Sequence, residues 1–270
     1  MQQFAAVSAQ GLIDSIAMVN TRLYGQLLAQ GRSDDDLWAI RRAYDLTSVL
    51  YSGAYQADGR PFTAHAVSVA SILALIGMPS NIVAAALIHN VYGNGDFGDG
   101  RYSGVTPQRR QRVRDAVGDD IESCVHRFSE LRLTGDLQVV KSRIGWMSER
   151  DRMILAIELA DLLDKFVDLS VLYFGNADWV TQFVDAHEYE LINIGYALGQ
   201  PVLADALTHA IAQVRSRQVP AALRQSPERR YVSTIIPLSC IERPELTWTK
   251  AIKQSVPWRF ARRVIRGTPA

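Results

Sequence analysis

Apolar residues return at three- and four-residue steps along most of the chain, the period of an amphipathic helix. Over residues 11–30, Leu12, Ile16, Val19, Leu23 and Leu27 predict one helix. Ser33 followed by Asp34, Asp35 and Asp36 supplies a cap and an acidic first turn for a second, through Leu37, Ile40, Tyr44 and Thr47. The stretch "GAYQADGRPF" interrupts the period. A helix over 63–76 follows, with Val69, Ile72, Leu73 and Ile76 on one face, and Gly77 and Pro79 stop it. "NIVAAALIHNVY" predicts the next, ended by a glycine-rich loop. Thr106-Pro107 opens a charged helix to about residue 117. "DDIESCVHRFSEL", "SERDRMILAIELADLLDKFVDLSVLYF", 178–198 and 201–217 complete the series.

No alternating segment longer than "RYVSTIIPL" appears, so the pattern predicts an all-α fold. The expected organisation is an N-terminal helix over 1–32 packing on a core, a main domain over 33–175, further helices of that domain over 176–219, and an irregular basic tail over 220–270. Prolines 220, 227, 237, 244 and 257 mark that tail. Its last twenty-one residues, "KAIKQSVPWRFARRVIRGTPA", hold six Lys or Arg, no acid, and Trp258, Phe260, Val264 and Ile265. Such a segment suits an anionic membrane surface, a protein partner, or docking onto the chain's own body.

The chain has 270 residues, with 29 Lys plus Arg against 28 Asp plus Glu, so no global field favours nucleic acid. Cys124 and Cys240 lack metal-binding or disulfide-framework spacing. The N-terminus lacks the basic start and cleavage site of a secretory signal, and the apolar runs are too short to span a bilayer, so the expectation is a cytoplasmic protein.

"HNVYGNGDFGDG", residues 89–100, invites three readings. Its G-x-G-x-x-G follows a helix instead of a strand, and Asp96 and Asp99 set negative charge against any pyrophosphate, which argues against a dinucleotide loop. Counted as a calcium loop from Asn94, position six is Asp99 and position twelve is Val105, where Gly and Glu are required. The pair His89-Asn90 remains. His65 stands four residues before Val69 on one apolar face, His89 seven after Ile82 on another, and Asp161 four after Ile157 on a third. A lone core histidine is ordinarily a hydrogen-bonded packing residue. Polar groups on three apolar faces point instead to a shared partner, because a buried charge must be neutralised. Imidazole with carboxylate oxygen suits zinc, manganese or iron.

The stretch "IRRAYDLTSVLYSGAYQADGRPFTAHAVSVASILALIGMPSNIVAAALIHNVYGN", with the later "ILAIELADLLDKFVDL", resembles the HD-domain hydrolase region of RelA/SpoT-type alarmone enzymes, from about Ile40 to Leu169. The resemblance implies an HD-domain-like helical bundle. It also implies a divalent metal held by His65, by His89 with the residue after it, and by Asp161. Four positions depart from the pattern. Asn90 stands where the second ligand is Asp, and Gly93 and Asn94 replace a Glu-Asp pair implicated in water activation. Gln56 replaces a substrate-contacting Arg, and Lys165 replaces an Asn.

With one anionic ligand lost, such a site holds a cation less tightly, yet can still acidify bound water. Asp96, Asp99 and Tyr92 are the candidate catalytic replacements. Arg60, Gln56 and Lys165 are the candidate contacts to an anionic small molecule. Each has a plainer reading: turn residues for Asp96 and Asp99, core edge for Tyr92, solvated turn for Arg60. Lys165, four residues after Asp161, could neutralise that carboxylate and replace the metal altogether. His126 and Glu130 form an i, i+4 pair read as a surface ion pair, and His187 and His209 have no ligand spacing.

The expectation is therefore a metal-dependent phosphohydrolase acting on a small phosphorylated or anionic molecule, with manganese, zinc, iron or no metal. The alternatives are a catalytically inactive HD-fold ligand-binding or scaffold protein and, ranked last, an HD-type metal oxygenase.

Overall fold

The structure is a computed structural model that describes residues 8–131, 133, 137–226 and 233–235, with the backbone alone at Trp179, Ser233 and Thr234. Among these residues the fold is all-α, a helical bundle. Its helices are α1 (Ala9–Ser15), α2 (Asn20–Ala29), α3 (Asp34–Leu50), α4 (Phe62–Leu75), α5 (Ser80–Leu87) and α6 (Val91–Asn94). They continue with α7 (Pro107–Val117), α8 (Asp119–Glu130), α9 (Leu137–Arg143), α10 (Glu149–Phe166), α11 (Asp178–Ala197) and α12 (Pro201–Arg215). Regular strand is confined to the pairs Ala54–Tyr55 and Ser233–Thr234.

α4 and α5 form the centre. Every residue of α4 from His65 to Ala74 is buried, and α5 is buried except at Asn81. Helices apolar on all sides belong inside a bundle. α3, α4, α8 and α10 all pack on α5, and α10 also packs on α4, so α10 closes over the pair that carries the histidines. α1, α10 and α11 pack on α12. The described residues up to Ser233 form one compact unit. The irregular tail expected after residue 220 lies almost entirely outside the described residues. Among the described residues no helix is long and apolar enough to cross a membrane.

The structure breaks three helices that the apolar period ran together, two of them beside a hydrogen bond from elsewhere in the fold. Residues 11–30 divide into α1 and α2, because Ser71 on α4 accepts from Ala17 N at 2.8 Å and Gln26 reaches back to Ser15 O at 2.5 Å. Leu12, Leu23 and Leu27 still face one core, so the period runs through the break. α5 ends at Leu87, whose carbonyl oxygen lies 2.7 Å from Thr47 Oγ1, and a tight turn swings His89 and Asn90 out of the helical path. α10 ends at Phe166, and Asp168 (φ 54°) and Leu169 (φ 60°) then take left-handed conformations. Such backbone is costly for residues with a Cβ and persists only where the surroundings impose it. The period also left out α9, which buries Leu137 and the following Ile144 in the core and packs the half-buried Val140 against it.

Candidate metal centre

The site is built by α4, the turn after α5, and α10. His65 lies one turn into α4 and is 1% exposed, and His89 in the turn is 2% exposed. Asp161, on α10, brings its Oδ1 to 3.2 Å from His65 Nε2 and 3.4 Å from His89 Nε2. One ligand atom from each of the three residues lies within 4.8 Å of the others. Phe62 meets His65 edge-on at 5.1 Å, the two imidazoles meet at 5.3 Å, and Phe128 closes the row at 5.3 Å from His89. The rings wall the cluster in low-dielectric surroundings.

Hydrogen bonds fix which nitrogens face inward. His89 Nδ1 donates to Ala86 O at 2.6 Å, leaving its Nε2 as the lone-pair nitrogen. His65 Nδ1 donates to Asp164 Oδ2 at 2.7 Å, leaving its Nε2 in the same state. Two imidazole lone pairs and a carboxylate oxygen therefore converge, and they repel one another unless a proton or cation lies between them. His65 Nε2 is buried with no hydrogen-bond partner, because the nearby Asp161 oxygen is within distance but poorly directed. An orphaned buried nitrogen beside a carboxylate fits a metal ligand set, and Asp164 behind His65 is the usual outer partner of a metal-bound imidazole.

Charge points the same way. Asp58, Asp161 and Asp164 face two fixed cations, Arg60 and Lys165, so with neutral imidazoles the cluster keeps one negative charge. Burial disfavours a charged His65, but Asp164 and Asp161 outweigh it and raise the pKa. Burial also lowers the pKa of His89 and outweighs the support that Asp161 and the Ala86 carbonyl give to a charge. The acids go the other way. Burial opposes their ionisation, yet Lys165 and the imidazoles hold Asp161 well below the usual carboxylate range, and Arg60 with His65 does the same for Asp164.

Lys165 does reach Asp161, but at the oxygen away from the histidines: Nζ lies 2.5 Å from Oδ2 and 3.0 Å from the Asp161 carbonyl oxygen. Oδ1 stays turned to the two Nε2 atoms. Asn90 Nδ2 lies 2.7 Å from His89 Nε2, so the amide adjoins the cluster and currently presents its donor end. Asp161 and Lys165 are 14% and 19% exposed, which puts the accessible side of the site on α10.

The other candidate residues have partners elsewhere. Arg60 is held in a buried network, bidentate to Asp164 at 2.8 and 3.1 Å and bonded to Asp58 at 2.6 Å. Gln56 lies in the same turn, where its N–H donates to Arg60 O at 2.8 Å. Tyr92 donates to Glu122 at 2.7 Å. Asp96 accepts from Gly98 N, and Asp99 accepts twice from Arg109 at 2.7 Å. Asp96 is thus tied into the loop itself and Asp99 to Arg109 on α7. His126 Nε2 lies 4.0 Å from Glu130 in the expected surface pair.

Sequence reasoning gave Asp164 no role at His65, and it missed Asp58, Ser170, Phe62 and Phe128. The i, i+3 spacing of two acids on one apolar face was the available signal for Asp164. Asp58 and Ser170 meet only through the folding of two loops 112 residues apart.

His65, His89 and Asp161 thus converge from three separate elements of the fold. A family described as a domain of unknown function (DUF6817) matches residues 48–132. No curated protein matches the chain. Among solved structures, one described as a metazoan ortholog of SpoT that hydrolyzes ppGpp and plays a role in starvation responses aligns at 19% identity. That alignment covers 67% of this chain and 96% of the other, with a TM-score of 0.43.

Proposed function

We propose that the protein is a metal-dependent hydrolase of the HD type whose substrate is a small phosphorylated or otherwise anionic molecule. The observation that carries this reading is the meeting of two imidazole Nε2 atoms and Asp161 Oδ1, with His65 Nε2 left without any hydrogen-bond partner. His65 Nε2, His89 Nε2 and Asp161 Oδ1 would hold the ion, and the Asn90 amide, turned over, would offer its oxygen. A bound divalent ion supplies Lewis acidity and a water of lowered pKa.

The chain's own residues do the rest. Asp164 and the Ala86 carbonyl hold the imidazoles in orientation, and the phenylalanine walls exclude water from their inner side. Lys165 takes up half the charge of Asp161 and, at the accessible rim, presents a cation to an anionic substrate. Zinc, manganese and iron all match the donor set.

A second reading, an inactive binding protein, is favoured by the Lys165–Asp161 pair and by the amide donor beside His89 Nε2, which together soften the need for an ion. Metal analysis of chain purified without chelator, then reloaded with zinc, manganese or iron, tests the first reading. Stoichiometric binding that is lost in His89→Leu is expected, and no binding after reloading rejects it. Asn90→Asp separates the two. An inert parent that gains phosphoester hydrolysis has lost its activity, whereas an active parent that is impaired needs the amide.

A further inference from the structure

We propose that Asp164 is the positioning residue of this site, and that Arg60 serves Asp164. The proposal deepens the metal-site reading and rests on it. Asp161 and Asp164 are separated by one helical turn on α10 and grip opposite sides of the same ring: Oδ1 of Asp161 faces His65 Nε2, and Oδ2 of Asp164 accepts from His65 Nδ1. One helix thus supplies a proposed ligand and the group that aims its neighbouring ligand.

Asp164 is itself immobilised. Its side chain has no solvent exposure, and both its oxygens accept from the Arg60 guanidinium at 2.8 and 3.1 Å. Arg60 Nε is spent on Asp58 Oδ2, which also accepts from the Ser170 hydroxyl. Ser170 follows immediately on the two left-handed residues, Asp168 and Leu169, so the costly turn after α10 delivers the hydroxyl that ends the chain of contacts. The sequence Ser170–Asp58–Arg60–Asp164–His65 runs from that turn to the ring nitrogen without a gap. A planar fork gripping two carboxylates in fixed geometry is a role for arginine that lysine cannot reproduce. With three of its five guanidinium N–H groups spoken for, Arg60 keeps two for an incoming anion.

Loss of such an outer partner lowers metal affinity by about 10- to 100-fold. The experiment uses the full chain, titrated with zinc ion by calorimetry, together with nitrogen-15 NMR of the imidazoles. Asp164→Asn keeps the shape and removes the charge. Arg60→Lys keeps the charge and removes the fork, and decides alone should Asp164→Asn not fold. Glu130→Gln, on the surface, is the control.

The expected result is zinc bound through His65 Nε2 with the proton retained on Nδ1. Affinity should fall at least 10-fold in Asp164→Asn and about 3- to 10-fold in Arg60→Lys, in keeping with an outer-shell effect, and stay unchanged in Glu130→Gln. Parent-like zinc affinity in both site variants overturns the proposal, as does zinc bound through His65 Nδ1. Should the parent bind no zinc, manganese or iron, the metal reading fails by itself. The positioning claim is then decided in the metal-free chain: a neutral His65 carrying its proton on Nδ1, and losing that preference in Asp164→Asn, supports it. A proton on Nε2 in the parent rejects it.

Discussion

Two regions of this protein bury charge, and they treat it oppositely. Beside the glycine-rich loop, Arg109 is 2% exposed and every branch of its guanidinium is used: Asp99 takes two bonds, Arg101 O and Gly104 O one each, and the Phe97 ring lies 4.7 Å from its central carbon. Glu122, equally hidden, accepts from Tyr92 and Arg110. Around His65 and His89 a carboxylate oxygen faces two imidazole nitrogens, one of them without a partner, and with neutral imidazoles a negative charge is left over. A saturated network holds a fold together, whereas an unsaturated one marks a place where something binds. Asp99 fastens the loop to α7 through Arg109, and Asp96 accepts within the loop, as in the plainer reading of the two as turn residues.

The sharpest break of this comparison comes from Arg109→Ala. It strips several partners at once and leaves a void, so unfolding free energy should drop by roughly 3 kcal/mol in urea denaturation. His89→Leu removes a member of a mutually repelling set and should change the stability of the metal-free chain by less than about 1 kcal/mol, as expected where function is held at the expense of stability. Equal losses in the two variants would erase the distinction.

Metal loading tests the same contrast from the other side. A ligand at a hundredfold excess over its Kd adds about 2.7 kcal/mol to the folded state. Zinc, manganese or iron should therefore raise the thermal midpoint of the parent and of a loop variant such as Asp99→Asn, and leave His89→Leu unmoved. A rise that survives in His89→Leu would place the ion elsewhere.

The difference between the regions also explains what the sequence could reveal. His65, His89 and Asp161 were legible because each is a polar residue at an apolar position of a strong helical period, and that period survives translation into structure. α4, α5 and α10 lie within a residue or two of expectation wherever the period alone decides. Their ends were not legible where side chains distant in sequence decide, as at Thr47 on Leu87 O or Ser71 on Ala17 N. Arg60 was misleading for a similar reason. Between Gly59 and Pro61 it reads as a solvated turn residue, and only the approach of α10, 104 residues later, makes it internal. Asp99 reads as a turn residue or a catalytic replacement, because Arg109 gives no sign in sequence of turning back onto the loop.

Lys165 is the point at which the two kinds of network meet, since it partly saturates the centre. Replacing it by Met removes a positive charge from the far oxygen of Asp161 and should tighten zinc binding about 10-fold, equivalent to about 1.4 kcal/mol. Weaker binding in Lys165→Met would show that the lysine orients the carboxylate more than it competes for it. Unchanged binding would mean that its charge is already screened at the accessible rim.

The smallest effect, and the most diagnostic in sign, is the pH dependence of the metal-free chain. Burial pushes the Glu122 carboxyl up, but Arg110 and Tyr92 prevail and its pKa is lowered on folding. Its stabilisation is complete above the ordinary glutamate range, about 4.3, and is lost as pH falls through the lower folded value. His65 runs the opposite way. Its pKa is raised on folding, so its contribution is complete below about 6.5 and is lost as pH rises through the folded value. Glu122→Gln should flatten part of the acid limb of stability against pH, the remainder being shared by Asp161, Asp164 and the other acids whose pKa falls on folding, Asp36, Asp99 and Asp151, and leave the neutral limb as it was. His65→Gln should flatten the neutral limb. An acid limb untouched by Glu122→Gln would mean that the loop network is not saturated by charge after all, and the two regions would then differ in packing alone.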